Sequence, residues 1–478
     1  MLGLYPTWFE PGVGSGWIIG FIATIHVLFS HASVGGAVLF AWLANFAVRR
    51  DKPAYLAFIR RYGLFLLIFS YVLGSITGPG IWFAATIASP RGISALIHSF
   101  VWLWASEWVF FVIEVIGVYL LVYLAGRVDP RTHTRISIIF GLASVATLLV
   151  IVGILSFMLW PGQADWHQTG GVLNAFFGEN TFAQMTARFM FMLTITGVVG
   201  GMVAGRIADS EEKAMIARVL SGAGILGVIG GWLAFRWYMT TLPDIAYETM
   251  ATRLPESFGM MMAASIGVSV LYFLVTAWKP QVLRPWLAGV MTVVILVLGL
   301  APEETAREIV RKPWVAGQYV YGNQLVGRDV PALGIRSELP LMAEKGVLAT
   351  HPFMPEHLRK VTPENEAEAG RALALTLCSN CHSLTSTGMR PLERFFPADA
   401  DRAFLADYLG AGLYRGHSVY MPPVPLPEAE RGALAAYIEP EFADLFYAYG
   451  VLDSGRFIGE SSHLVGLGSN QASFYLRA

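Results

Sequence analysis

Charged residues are scarce in this sequence of 478 residues, where they make up only 14% of the chain. A soluble globular domain carries about 25%. The 33 basic and 34 acidic side chains nearly cancel, so no nucleic-acid partner is expected. With only two cysteines, the chain is not a disulfide-stabilised scaffold. Hydrophobic residues at 55% exclude a disordered protein.

Long apolar runs are abundant instead, and the mean hydropathy is +0.54. A helix needs about 20 consecutive apolar residues to cross a bilayer core. Because backbone polar groups in lipid must be satisfied within the segment, helices are the expected form. The sequence therefore predicts an all-α fold: a polytopic membrane helix bundle of about eight spans. The segments lie near 17–48, 62–88, 96–125, 136–160, 183–207, 216–238, 258–278 and 284–301.

Basic residues are concentrated in alternate loops. The basic loops lie near 49–61, 127–135, 206–218 and 279–284. By the positive-inside rule these loops are cytoplasmic. The N-terminus and everything after Ala301 are then predicted to lie outside a bacterial cytoplasmic (inner) membrane. The N-terminal stretch lacks the basic region of a cleavable signal peptide, so the first span is expected to be an uncleaved anchor.

The composition becomes that of a soluble segment after the last span, so residues 1–301 are predicted to form the membrane bundle. Residues 302–365 are rich in proline, glutamate and arginine, which is typical of an extracytoplasmic linker. Residues 366–450 are predicted to form a small periplasmic helical domain, and residues 451–478 a tail rich in serine and glycine.

The strongest motif is C-x-x-C-H, formed by Cys378, Cys381 and His382. Two thiols at this spacing can form thioethers with both vinyl groups of one haem, and the histidine can ligate the iron. A redox pair or part of a zinc site are the alternatives, although a four-cysteine zinc site is excluded because the chain has no other cysteine. Met421, in a later loop, is the expected second axial ligand. The domain resembles a small class I cytochrome c with one covalent haem c.

Ionisable side chains inside the spans are functional candidates, because each is costly in lipid. His26 and His31 lie in the outer half of the first span, and His98 lies at the outer start of the third. For His31 and His98 a structural role is an equal alternative. Glu107 and Glu114 share one face of the third span. Two carboxylates in one apolar helix are hard to explain structurally, and carboxylates suit proton transfer.

Three short patches give the membrane part, over about residues 15–315, a resemblance to subunit I of cytochrome bd-type oxidases. The segment around His26 is similar to the family segment with a haem-ligating histidine. The segment between the two glutamates of the third span is similar to the family's third helix. Glu308, followed by Arg-Lys-Pro-Trp, is similar to a haem-ligating glutamate followed by Gly-Arg-Gln-Pro-Trp.

This resemblance implies haem b and/or haem d in the membrane part. His26 and Glu308 inherit the role of iron ligands, and Glu107 and Glu114 inherit catalytic roles as ligand or proton donor. His98 is a further candidate for cofactor binding.

Two positions depart from the family pattern. Arg188 stands where the family has the histidine of its low-spin haem, and Met261 falls near the methionine that is the other ligand. The external quinol loop is reduced to about residues 240–256.

The resemblance implies a haem-bearing subunit of a bd-like respiratory complex, an oxidoreductase that passes electrons between a periplasmic haem c and membrane haems to reduce oxygen to water. The alternatives are a subunit that transfers electrons from quinol to a periplasmic cytochrome, or the membrane anchor of a larger redox complex. The implied partners are a second membrane subunit and a periplasmic electron carrier. Small residues at 33–37 form a candidate surface for the membrane partner.

A pyridine haemochrome spectrum of the purified complex, quantified per chain, tests these expectations. We expect haem c together with b-type or d-type haem, because the motif and the intramembrane ligands are separate sites. Haem c alone would leave only an anchored cytochrome.

Overall fold

A computed structural model describes most of the chain. The described residues are 7–10, 12–311, 314–315, 317–397, 400–412, 422 and 424–439. Met421, the predicted axial ligand of haem c, and the predicted tail at 451–478 lie outside the described residues.

The first two-thirds of the chain form a helical bundle. Eight helical segments of the described residues are long and apolar enough to cross a membrane, and two of them, Pro53–Ala88 and Pro285–Val310, each consist of two helices joined by a π turn. The eight segments coincide with the eight predicted spans, which are thereby confirmed. In chain order the helices are α1 (Trp17–Arg50), α2 (Pro53–Leu66), α3 (Leu73–Ala88), α4 (Pro90–Tyr123), α5 (Pro130–Leu159), α6 (Trp166–Thr169), α7 (Val172–Phe176), α8 (Glu179–Ala204), α9 (Ser210–Thr240), α10 (Asp244–Arg253), α11 (Ser257–Trp278), α12 (Pro285–Ile295) and α13 (Ala301–Arg311).

The ends of these helices follow ordinary capping chemistry. Asp129 accepts hydrogen bonds from the first backbone amides of α5, and Asp209 does the same for α9. Proline occupies the first helical position where its missing N–H is not needed. The helices that begin this way start at Pro53, Pro90, Pro130 and Pro285.

Two spans are interrupted by a π-helical turn. The segment Leu67–Val72 joins α2 to α3, and Leu296–Leu300 joins α12 to α13. A π turn inserts one extra residue and re-aims the helix face that follows it, and such turns are frequent at functional sites. The first one contains the buried Tyr71, and the second one directly precedes the charged helix α13.

The helices α1 and α8 form the centre of the bundle. A Cβ atom on Gly35 would lie 2.2 Å from Oγ1 of Thr196 and 2.6 Å from the carbonyl oxygen of Met192, both on α8. A Cβ atom on Gly36 would lie 2.5 Å from a methyl carbon of Leu66. The small residues at 33–37 therefore pack inside this chain, and their prediction as a partner surface was wrong.

The last third of the chain begins with a two-stranded antiparallel ribbon, β1 (Trp314–Val315) and β2 (Val320–Tyr321). The helices that follow it are α14 (Leu339–Lys345), α15 (Val347–Thr350), α16 (Glu366–Leu377), α17 (Arg402–Asp407) and α18 (Glu428–Ile438). Short 3₁₀ or π turns lie at Pro280–Val282, Pro331–Leu333, Glu356–Leu358, Leu392–Phe395 and Tyr408–Gly412.

The region 302–365, which composition marks as a linker, is largely packed. The helix of the last span continues to Arg311, beyond the predicted end at Ala301. Tyr319 and Val320 are buried in one cluster with side chains of α4 and α5. The apolar core of the last third joins α16 and α18, and part of the same region contributes to it.

Gly35→Ala is expected to destabilise the bundle by about 1–3 kcal/mol, the usual cost of overpacking, because its methyl group meets the backbone of α8. The matched control is Gly74→Ala, where a Cβ atom meets nothing within 4 Å and alanine favours the helix. Thermal unfolding in detergent, followed by far-UV circular dichroism, measures both variants. Equal midpoints for the two variants would contradict the close packing of α1 on α8.

Candidate functional site

The C-x-x-C-H loop follows directly from the end of α16. The amide of Cys378 donates to Ala374, and the amides of Cys381 and His382 donate to the Cys378 carbonyl at 3.1 and 2.9 Å. Neither cysteine is in a disulfide. Burial, with a smaller contribution from Cys381, raises the pKa of the Cys378 thiol to about 12. Redox C-x-x-C pairs have a lowered thiol pKa, so this environment disfavours that alternative.

The imidazole of His382 is fixed in the orientation that an iron ligand needs. The side chain is buried, and its Nδ1 lies 3.3 Å from the carbonyl oxygen of Arg390. Because a carbonyl can only accept, Nδ1 carries the proton and the lone pair lies on Nε2. Metal-ligating histidines usually donate their other ring N–H in this way. The two thiols and this tautomer fit a covalent haem c.

The C-x-x-C-H loop is hydrogen-bonded to the end of the helical bundle. The amides of Ser15 and Gly16, which immediately precede α1, donate to the carbonyls of Ser379 and Asn380, each at 3.2 Å. The side-chain amide of Asn380 donates to the carbonyl of Ala88 at the end of α3, at 3.1 Å. The two residues between the cysteines therefore contact the bundle directly.

A buried arginine at the start of α4 holds the same junction. The guanidinium of Arg91 donates to the carbonyl of Gln324 at 2.8 Å and to a carboxylate oxygen of Glu338 at 2.6 Å. The amide of Asn380 also donates to the carbonyl of Gly322. The segment after β2 thus connects the C-x-x-C-H loop to the bundle. This junction lies at the opposite end of the bundle from the basic loops.

His26 is held against α3 inside the bundle. Its Nδ1 lies 2.9 Å from Oγ1 of Thr77, whose own hydroxyl donates to the Leu73 carbonyl at 3.0 Å. The hydroxyl therefore accepts from Nδ1–H, and the lone pair of the imidazole lies on Nε2. A Cβ atom on Gly78 would be in ordinary contact with the ring, at 3.4 Å, so the ring lies beside α3 at this residue. This half-buried histidine fits an iron ligand.

Glu308 approaches α1 between the C-x-x-C-H loop and His26. A Cβ atom on Gly20 would lie 3.3 Å from Cγ of Glu308, so the carboxylate arm crosses α1 at that glycine. At a rise of 1.5 Å per residue, Gly20 lies about 6 Å along α1 from Gly16 and about 9 Å from His26. The candidate ligands therefore follow one another along α1.

Glu114 is the centre of a buried polar network deeper in the bundle. The hydroxyl of Tyr71 donates to one carboxylate oxygen at 3.1 Å, and that of Thr147 donates to the other at 2.5 Å. Glu107, which lies about two turns earlier on the same face of α4, is only half-buried. The sequence did not single out Tyr71 or Thr147, because isolated hydroxyls in apolar helices are too common to be a signal.

Arg188 is ion-paired inside the bundle. Its Nη2 lies 3.6 Å from Glu303 and 3.9 Å from Glu304, and Glu304 also pairs with Arg307. These partners were missed because they fall in the predicted linker. The spacing of Glu304, Arg307 and Glu308 along one helical face was the available signal.

The other predicted residues differ in their surroundings. His31 is buried and lies within the electrostatic influence of Arg188. His98 is exposed, with Nδ1 2.7 Å from the Ser94 carbonyl, which indicates a bond within its own helix. Met261 lies partly exposed in the second turn of α11.

No family model matches the chain, and no curated protein matches it either. Among solved structures, the chain is similar to the bd oxidase from Geobacillus thermodenitrificans, with a TM-score of 0.52 and 14% sequence identity. The alignment covers 64% of this chain and 89% of that chain. The protein is therefore a polytopic membrane helix bundle with a distant resemblance to bd-type oxidases, as the sequence patches predicted. At this identity the likeness establishes the fold.

Asn380→Ala is expected to loosen the junction between the C-x-x-C-H loop and the bundle, because it removes the side-chain donor to the buried carbonyl of Ala88 and one of two side-chain donors to the carbonyl of Gly322. A lost buried hydrogen bond costs about 1–3 kcal/mol, so amide hydrogen exchange at Ser15 and Gly16 should accelerate roughly tenfold or more. The control Asn365→Ala also removes an amide that donates to two carbonyls, but at a site away from the junction. Unchanged exchange in the Asn380 variant would show that the loop is held by other contacts.

Proposed function

We propose that the chain is a haem-bearing membrane subunit of a bd-like respiratory complex. It passes electrons between a haem c on Cys378 and Cys381 and haems in the bundle, for the reduction of oxygen to water. One observation carries this proposal: the C-x-x-C-H loop is hydrogen-bonded to the residues that begin α1, and the same helix presents His26 with its Nε2 lone pair available to a metal.

The residues of this proposal fall into two groups, one that would bind haem and one that would transfer protons. His382 would ligate the haem c, and His26 and Glu308 would hold haems of b or d type in the bundle. When bound, these haems would supply one-electron transfer and an oxygen-binding iron. Each imidazole is held through its Nδ1, and the carboxylates of Glu107 and Glu114 would hold protons for the reaction.

The proton-holding side of this assignment is supported by the surroundings of Glu114. Two hydroxyl groups from different helices point at its two oxygens, so both the carboxylate and its hydrogen-bonded partners are fixed. A carboxylate held in this way can pass a proton through a hydroxyl without a large movement.

The position of the C-terminal part supports the proposed localisation. It meets the bundle end that is opposite the basic loops, which under the positive-inside rule supports a location in the periplasm of a bacterial inner membrane. A periplasmic electron-carrier protein is the partner that fits this location. A second membrane subunit would complete the complex, as in bd-type oxidases.

Arg188 bears on the first alternative, a subunit that transfers electrons from quinol to a periplasmic cytochrome, and it argues against the quinol half of that function. A guanidinium is always protonated and does not ligate iron, and here it is engaged with two carboxylates. A haem ligated from this position of α8 does not fit the residues present. Direct quinol oxidation near this position is therefore less well supported for this chain than oxygen reduction.

Thr77→Val tests the assignment of His26. The valine has the shape of threonine but cannot hold the Nδ1–H of His26, and loss of such a supporting bond typically weakens metal binding about 10–100-fold. We expect a lower content of membrane haem in the visible spectrum, lower oxygen consumption with a reduced one-electron donor, and unchanged haem c.

Thr86→Val is the matched control, because Thr86 is an exposed threonine on the same helix whose hydroxyl bonds only within α3. Equal spectra and equal oxygen consumption in the two variants would contradict the role of His26. Normal membrane haem in the wild type without any oxygen consumption would favour the electron-transfer alternative.

A further inference from the structure

Helix α13 is tied to the bundle by a compact cluster of charges. Arg188 on α8 faces Glu303 and Glu304 in the first turn of α13, and Arg307 pairs with Glu304. Arg188, Glu304 and Arg307 are all buried. Two guanidinium groups face two carboxylates, so the cluster is formally neutral, as burial in an apolar bundle requires.

The contact between Arg188 and two consecutive carboxylates fixes α13 in two ways. Consecutive residues lie about 100° apart around a helix, so one guanidinium that reaches both defines the rotation of the first turn. Its place on α8 defines the height of that turn. The same Nη2 atom lies 3.6 Å from Glu303 and 3.9 Å from Glu304, so the contact is electrostatic and needs a positive charge at this place on α8.

Glu308 lies one turn after Glu304 on the same face of α13. Whatever fixes the rotation of the first turn therefore also fixes the direction of the Glu308 side chain, about 6 Å further along the axis. Gly20 on α1 receives that side chain at close range. On the next turn Val310 is buried in a small cluster with Leu159 and Ala246, which holds the far end of the helix.

We propose that Arg188 is a positioning residue that aims Glu308 across Gly20 toward the membrane haem. The inference rests on the proposed function, because it takes Glu308 as a holder of haem. Arg188 does not touch the haem in this role. It acts through the carboxylates of the preceding turn and the rigidity of α13.

A purely structural role of Arg188 in charge balance predicts that haem retention recovers once neutrality is restored. Removing one partner of a buried ion pair destabilises a protein because the remaining charge is unpaired. Arg188→Gln alone would therefore disturb both charge balance and aim. The double variant Arg188→Gln with Glu303→Gln restores neutrality, since Arg307 still faces Glu304, but it removes the tie between α8 and α13.

Haem transfer from the purified full-length protein in detergent to apomyoglobin separates these readings. Only non-covalent haem can leave, so the covalent haem c remains as an internal standard in every sample. We expect haem release to be roughly ten times faster in Arg188→Gln and in the double variant, with a shifted spectrum of the remaining membrane haem. Arg188→Lys keeps the charge and should recover most of the retention.

Arg236→Gln is the matched control, because Arg236 is an exposed arginine at the end of another span, next to Trp232, and should behave as wild type. Wild-type retention in Arg188→Gln, or in the double variant, would overturn the inference. A wild-type protein that contains haem c and no transferable haem would instead refute the proposed function, and with it the role of Glu308.

Discussion

The structure depends above all on the placement of α1 at the centre of the bundle. Its glycines allow α8 to approach within backbone contact at Gly35, and they admit the Glu308 side chain at Gly20. The two residues immediately before it donate to the C-x-x-C-H loop, and His26 contacts Thr77 of α3. Because these contacts follow one another along a single helix, the distances between the candidate sites along its axis follow from the helical rise.

The second constraint is the cost of polar groups in an apolar interior. Glu114, Arg188 and His26 each have a partner on another helix: Tyr71, Glu303 and Thr77. Glu114 and His26 are hydrogen-bonded to their partners, and Arg188 forms an ion pair with its partner. Each pair also fixes the relation between two helices. The two π turns lie next to these pairs: the first contains Tyr71, and the second directly precedes the carboxylates of α13.

The spans and the C-x-x-C-H motif could be predicted because their signals are local. Apolar length defines a span, and two thiols three positions apart define the attachment motif. The pairing of Arg188 with Glu303 joins residues that are far apart in sequence, and no periodicity links them. The same is true of the bonds from Ser15 and Gly16 to the loop. Composition alone also did not predict that the last span continues as α13, because a charged helix can be buried when its charges are paired.

The junction at the start of α1 and the ion pair at Arg188 bear on the same question, which is where electrons enter the bundle. In the proposed function the Arg188 position on α8 supplies no iron ligand, so no haem held from that position would carry electrons into the bundle. The C-x-x-C-H loop meets the bundle at the residues that precede α1, the helix that Glu308 approaches at Gly20 and that carries His26. In the proposed function, an electron that arrives at the loop would reach the candidate haem ligands along α1 without passing the α8 position.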